Sequence, residues 1–480
     1  MWLEMLITNA EVYQVGLYDL RIDGSIIVEM GRLQPLHGEP VVDAAGGALL
    51  PGLTDHHIHF LSYAASLSSI DCSPSKVANG IQLAELLRQT PGDTWLRGFG
   101  YHESVAGDID RHWIDQCCDH RPVRIQHRTG RLWIYNSAAI EQLKLAMEQQ
   151  NSNHPLTTSS LESGRFYDAD QSLGDLLGRH LPPVAEASRR LAAFGITAFS
   201  DMTPSNDQET FSLFKRLRQQ NNLLQHVQLA RNKPFTQTNP TDSVMPGPVK
   251  IHLHESRLPA LQDLVDRITL SHEHGVAVAI HAVTEIEMLF SITALEDAGT
   301  IQGDRIEHAS VTPDYLLEKI KALDLTVVTQ PQFIFGKGDT YRQDVAADSL
   351  PHLYRCAAFV NSGIALAGSS DAPFGCPDPW SSMRAAVTRR TSSGHVLTGD
   401  EVLSPEQALA LYLGGLHSPG KFRQLEVGAT ADLCLLDRPG LLARRTLHSD
   451  HVKLVFNQGT PVYQKQDCIS LQYQKAQPTL

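Results

Sequence analysis

From residue 196 onward the chain keeps a regular rhythm. Apolar runs of strand length at 196–201, 225–230, 249–253, 276–281, 305–308, 326–330 and 364–368 are separated by amphipathic stretches such as 258–274 and 314–323. Short apolar runs bounded by turn formers read as buried strands, and apolar residues at helical spacing read as helices lying on a core. Strands that alternate with helices build a parallel sheet, because a parallel connection needs a long crossover. Counting 49–54 as the first strand brings the set to eight, the number that closes a (β/α)8 barrel. The expected class is α/β, a TIM barrel over 49–422.

Two departures from a plain barrel are visible. Residues 60–183 replace the helix expected after the first strand and carry Trp95, Tyr101, Trp113, Trp133, Tyr135 and Phe166. A long insertion after a barrel strand is expected to shape the substrate pocket. Outside the barrel, short strands at 5–8, 19–22, 26–28 and 40–42 near the beginning match others at 431–437 and 452–463. Together they predict a small split β-sandwich-like domain over 1–48 plus 423–480.

Composition removes several function classes. With 53 acidic against 40 basic residues the net charge is −13, so there is no bulk cationic field for nucleic acid. No apolar run reaches membrane-span length, and the opening MWLEMLITNA lacks the basic start and apolar stretch of an export signal. A cytoplasmic protein without a membrane partner is expected, acting on a small molecule, with a homo-oligomer allowed. The seven cysteines are scattered without CxxC spacing and read as reduced thiols.

The chemistry concentrates where strands end. In PGLTDHHIHF, His57 and His59 alternate behind an apolar run, and alternation along a strand aims both rings to one side, with Asp55 on the same face. Two neutral imidazoles on one face form half of a zinc site. Further ligand-type residues close other strands: His281 in VAVAIH, His308 in RIEH and Asp371 after IALAGSS. One such residue per strand end is the layout of a barrel metal site. A second alternating pair, His252 and His254, follows Lys250 on the fourth strand, and either pair could supply the imidazoles.

PGLTDHHIH, VKIHLHE, VAIHAVTE, RIEHAS, TQPQF and GSSDAP, in this order, resemble the amidohydrolase superfamily, and in particular its YtcJ-like branch with the N-substituted formamide deformylases. GYHE near Tyr101, TGRLWIYNSAAI near Trp133 and the closing GATADLCLLD extend the resemblance over essentially the whole chain. It implies one or two divalent ions, zinc being the expected metal, held by His57, His59, Lys250, His281, His308 and Asp371. It also implies carbamylation of Lys250 in a binuclear centre, since an ammonium has no lone pair with which to bridge metals. The Pro-Gly-x-x-Asp lead-in favours His57 and His59 over the second pair. His252 and His254 then become candidates for substrate contact, together with Tyr101, His102, Arg131, Trp133, Gln330 and Phe333. Arg131 stands where the family often has His, and its guanidinium could grip a substrate carboxylate.

The activity implied is hydrolysis of a non-peptide carbon–nitrogen bond in an amide, formamide or cyclic amide. A divalent ion lowers the pKa of bound water from about 15.7 to about 7, which makes hydroxide available at neutral pH. Asp371 would take up its proton and hand it to the leaving nitrogen, a role typically contributing roughly 10²- to 10⁴-fold. Two other readings stay open: a mononuclear deaminase with Glu285 as proton shuttle and Lys250 uninvolved, and a non-catalytic barrel that serves as an assembly subunit.

Overall fold

A computed structural model describes residues 4–150, 156–178, 181–234 and 243–466. The chain separates into two compact units, one of Met1–Phe60 with Ala185–Leu480 and one of Leu61–Val184.

Eight parallel strands form the barrel of the first unit: β1 Leu53–Ile58, β2 Ile196–Asp201, β3 His226–Arg231, β4 Val244–His252, β5 Val278–Ala282, β6 Arg305–His308, β7 Thr326–Thr329 and β8 Leu366–Gly368. They pair in chain order from β1 to β8. β1, β2 and β6 are buried at every residue, as expected when helices cover one face of a sheet and its own interior covers the other. The seam between β8 and β1 is held just past the strand ends. There the Asp371 N–H donates to the His57 carbonyl at 2.8 Å and the His59 N–H to the Ala372 carbonyl at 2.9 Å. Helices such as Leu261–Glu273 and Glu285–Ala298 return the chain between strands. The latter starts with a capping box in which Thr284 and Glu287 satisfy each other's backbone N–H groups.

The sheet domain joins both ends of the chain. Its strands run in the order Thr460–Gln464, Val452–Asn457, Leu433–Leu436, Ala48–Pro51, Glu4–Val12, Gly16–Asp23 and Ile26–Gly31, with Val41–Asp43 beside Glu4–Val12. Met5, Ile7, Leu20, Leu49, Leu433 and Phe456 fill its core.

Three details correct the sequence reading. Residues 49–54 are not one barrel strand: Ala48–Pro51 belongs to the sheet domain and Leu53–Ile58 to the barrel. This moves the boundary past residue 48. The break falls at Gly52, whose N–H donates to the Asp432 carbonyl at 2.8 Å and where a Cβ would collide with the Thr197 side chain. Residues 452–463 are a hairpin rather than one strand, turned at Gln458 (φ 49°) and Gly459 (φ 72°). And β4 begins at Val244, earlier than expected, because residues 244–246 already pair with Val227, Gln228 and Leu229 of β3.

The second unit is a domain with its own core. Five strands, Ile70–Asp71, Leu96–Tyr101, Val123–His127, Leu132–Tyr135 and Arg165–Tyr167, form one sheet, packed with Leu83, Leu87, Ile125 and Ile134 in one cluster. Among the described residues no helix is long and apolar enough to cross a membrane. Six cysteines are free, and Cys468 lies outside the described residues.

Candidate metal centre

The C-terminal ends of the barrel strands bring imidazoles from four strands into one chain of ring contacts. Ring centroids are 5.4 Å apart for His57 and His59, 4.9 Å for His57 and His308, 4.4 Å for His281 and His308, and 4.3 Å for His252 and His281. Asp371, from the turn after β8, completes the group. Its Oδ1 lies 3.5 Å from His57 Nε2 and 3.3 Å from His59 Nε2. Two of these side chains are aimed by unusual backbone: His308 at φ 73° and Asp371 at φ 52° occupy the left-handed region that non-glycine residues seldom adopt, a conformation that clusters at functional sites.

Partners behind the rings decide which nitrogens face the group. His57 Nδ1 lies 2.6 Å from Glu307 Oε2, His59 Nδ1 3.1 Å from Thr203 Oγ1, and His308 Nδ1 2.9 Å from Gln330 Oε1. Gln330 donates its own amide to Ser369 Oγ at 2.9 Å, so its oxygen faces His308 and that ring must donate from Nδ1. In each case the Nε2 side is left for a ligand, the arrangement in which the second nitrogen of a metal-binding histidine is anchored by a neighbour.

Electrostatics keeps the rings in their coordinating form. Burial holds His57 and His281 well below the ordinary histidine value; the Lys250 charge adds to it at His57, and neighbouring imidazoles at His281. His308 is lowered as well, again chiefly by burial. Burial would raise the Asp371 carboxyl, but the His59 hydrogen bond and the nearby His57 and His308 outweigh it and keep it ionised. Lys250 is 2% exposed, pushed down to about 8 by burial, and its Nζ has no hydrogen-bond partner among the described residues. An isolated buried ammonium is costly.

The donor set fits a divalent ion. Nitrogen or oxygen ligands about 2.1 Å from a tetrahedral zinc stand about 3.4 Å from each other. The two Nε2···Oδ1 distances match this spacing, and one ligand atom from each of His57, His59 and Asp371 lies within 4.8 Å of the others.

A model of the amidohydrolase family matches residues 40–463. The chain belongs to the amidohydrolase family. Its chemistry is therefore hydrolysis at carbon–nitrogen bonds. Two similar proteins are of the YtcJ-like branch: YtcJ of Bacillus subtilis (strain 168), assigned as an amidohydrolase, is 22% identical over 494 residues, covering 90% of this chain and 93% of its own. The N-substituted formamide deformylase of Arthrobacter pascens is 21% identical over 510 residues, covering 91% and 93%. The crystal structure of an uncharacterised metal-dependent hydrolase from Pyrococcus horikoshii OT3 shares the fold at a TM-score of 0.72 with 20% identity, covering 94% of this chain and 99% of that one.

Other candidates have protein partners of their own. His254 caps the 3-10 turn Glu255–Arg257, its ring accepting from the Ser256 N–H. Gln330 holds His308, and buried Phe333 packs with Ile334, Leu353 and Tyr354. The four candidates of the Leu61–Val184 unit are engaged within that unit. Arg131 forms an ion pair with Asp168; the Tyr101 hydroxyl donates to the Gly107 carbonyl; His102 caps Glu103–Ala106; and Trp133 lies beneath the guanidinium groups of Arg97 and Arg124. Glu285, the shuttle of the deaminase reading, accepts the Tyr315 hydroxyl at 2.7 Å.

Sequence reasoning missed Glu307 and Thr203. Glu307 had no local signal: it stands between Ile306 and His308 in RIEH and reads as a partner of Arg305 alone. Thr203 had none, since a threonine in a loop is ordinary.

Proposed function

We propose that this amidohydrolase cleaves the carbon–nitrogen bond of a small non-peptide amide, formamide or cyclic amide, with His57, His59 and Asp371 holding a divalent ion and Asp371 transferring the proton. The observation that carries this reading is the convergence of two imidazole nitrogens on one carboxylate oxygen at ligand spacing. The names of the two relatives support the amide class.

A bound divalent ion, zinc in this reading, supplies a Lewis acid for the carbonyl and water activated at neutral pH. Asp371 is ionised and buried, so its carboxylate can accept a proton and return it to the departing nitrogen, which leaves as a neutral amine. His281 and His308 extend the donor set toward a second ion. Burial lowers the Lys250 amine toward its uncharged form, the one that adds carbon dioxide and releases a proton to give an oxygen-bearing carbamate. Carbamylation turns a costly buried cation into a ligand.

The test joins metal analysis of the purified chain to a panel of N-formyl amines, N-acyl amino acids and cyclic amides. Bound divalent metal, turnover of at least one amide class and loss of that turnover on chelation are expected. A metal-loaded chain inert across the panel overturns the proposal, and so does an Asp371→Asn variant that keeps full turnover.

A further inference from the structure

We infer that Glu307, paired with Arg305, is a positioning residue that sets the tautomer of His57 and thereby the affinity of the centre for its metal. The inference rests on the proposed metal-binding reading and assigns a role to two residues that touch neither metal nor substrate in it. Glu307 is fully buried on β6, and its two oxygens have different tasks. Oε1 lies 2.6 Å from Arg305 Nε, while Oε2 lies 2.6 Å from His57 Nδ1. Arg305, 2% exposed, is itself tied to the barrel by a bond from its guanidinium to the His56 carbonyl at 3.3 Å. Arg305, Glu307 and His57 thus form a chain from the barrel interior to the metal rim.

The physical case is a competition between two carboxylates for one proton. A neutral imidazole carries a single N–H, and His57 is flanked by Glu307 at Nδ1 and by Asp371 at Nε2. A proton on Nε2 would point at Asp371 and remove the lone pair that a metal needs. At 2.6 Å against 3.5 Å, Glu307 makes the shorter contact, and Asp371 Oδ1 is also approached by His59. A carboxylate oxygen accepts, and Oε2 at 2.6 Å is the nearer of the two, so the proton is held on Nδ1 and Nε2 stays open. His59 and His308 rest on a hydroxyl and an amide oxygen, which leaves His57 as the one of these three imidazoles with a carboxylate partner at Nδ1. A charge-assisted bond of this kind also raises the basicity of the coordinating nitrogen.

The measurement is metal affinity by competition with a chromogenic chelator, made on wild type, on Glu307→Gln and on the double variant Glu307→Gln with Arg305→Gln. Wild type reports on the metal-binding reading itself: no bound metal there sinks that reading whatever the variants do. If wild type binds, Glu307→Gln is expected to bind about 10- to 100-fold more weakly. The double variant separates positioning from simple charge balance. Removing the guanidinium relieves the unpaired buried charge, so thermal stability recovers while affinity stays low. Recovery of affinity along with stability overturns the inference, as does a single variant that binds like wild type. Should the variants fold poorly, nitrogen-15 NMR of the histidine rings in metal-free wild type decides: a protonated Nδ1 on His57 supports the inference, and a protonated Nε2 overturns it.

Discussion

The chain carries His-x-His twice at the end of a barrel strand, and the two copies meet different fates. At His57 and His59 both rings join the imidazole group and both have a partner at Nδ1. At His252 and His254 only the first ring does, packed on His281, while the second folds back to cap a turn. The spacing is identical; the backbone after it is not. β1 runs to Ile58, so His59 stands one residue past its strand, pinned by its N–H to the Ala372 carbonyl before the helix Phe60–Ser66 begins. β4, by contrast, ends at His252 itself, two residues before His254. Beyond β4 the chain enters the 3-10 turn Glu255–Arg257 within three residues, and alternation stops counting once the strand stops. A metal-ligand motif on a strand is therefore a statement about where the strand ends.

The contrast can be attacked in order of expected effect. His57→Ala and His59→Ala should each lower bound metal, read by elemental analysis, and cut turnover about 10³-fold or more, because the ion supplies the activated water; a variant that keeps its metal would make the first pair as dispensable as the second. Gly52→Ala should cost about 1–3 kcal/mol in denaturant unfolding, since the added carbon collides with Thr197 at the pivot that leads into the first pair. An unchanged midpoint would show that the pivot is not needed to place it. His252→Ala should retain metal at His57 and His59 yet slow turnover roughly tenfold through its contact with His281. Full activity would demote the whole second pair. His254→Ala should change stability by no more than about 0.5 kcal/mol and leave metal content and rate alone; any loss of metal there would erase the distinction.

Much of the barrel was legible because burial on both faces leaves continuous apolar runs, as in VAVAI at 276–280 and IALA at 364–367. The ligand histidines were legible because each stands where such a run stops. What stayed hidden depends on contacts between distant segments. The division of 49–54 at Gly52 is set by Asp432 and Thr197, neither of them near in sequence. Glu307 anchors a ring 250 positions away, and nothing local distinguishes it from a glutamate paired only with Arg305. The ion pair of Arg131 was likewise invisible, since Asp168 follows another strand, Arg165–Tyr167.

The pairing of Ala48–Pro51 with Leu433–Leu436 has a kinetic corollary. On the ribosome the earliest strands emerge with one edge open and must wait for nearly the entire polypeptide before that edge is covered. Contacts of such long sequence separation slow folding and expose sticky edges meanwhile. Expression yield of this chain should thus be most sensitive to chaperone supply and to lesions near Leu433, far from the histidines that give it its chemistry.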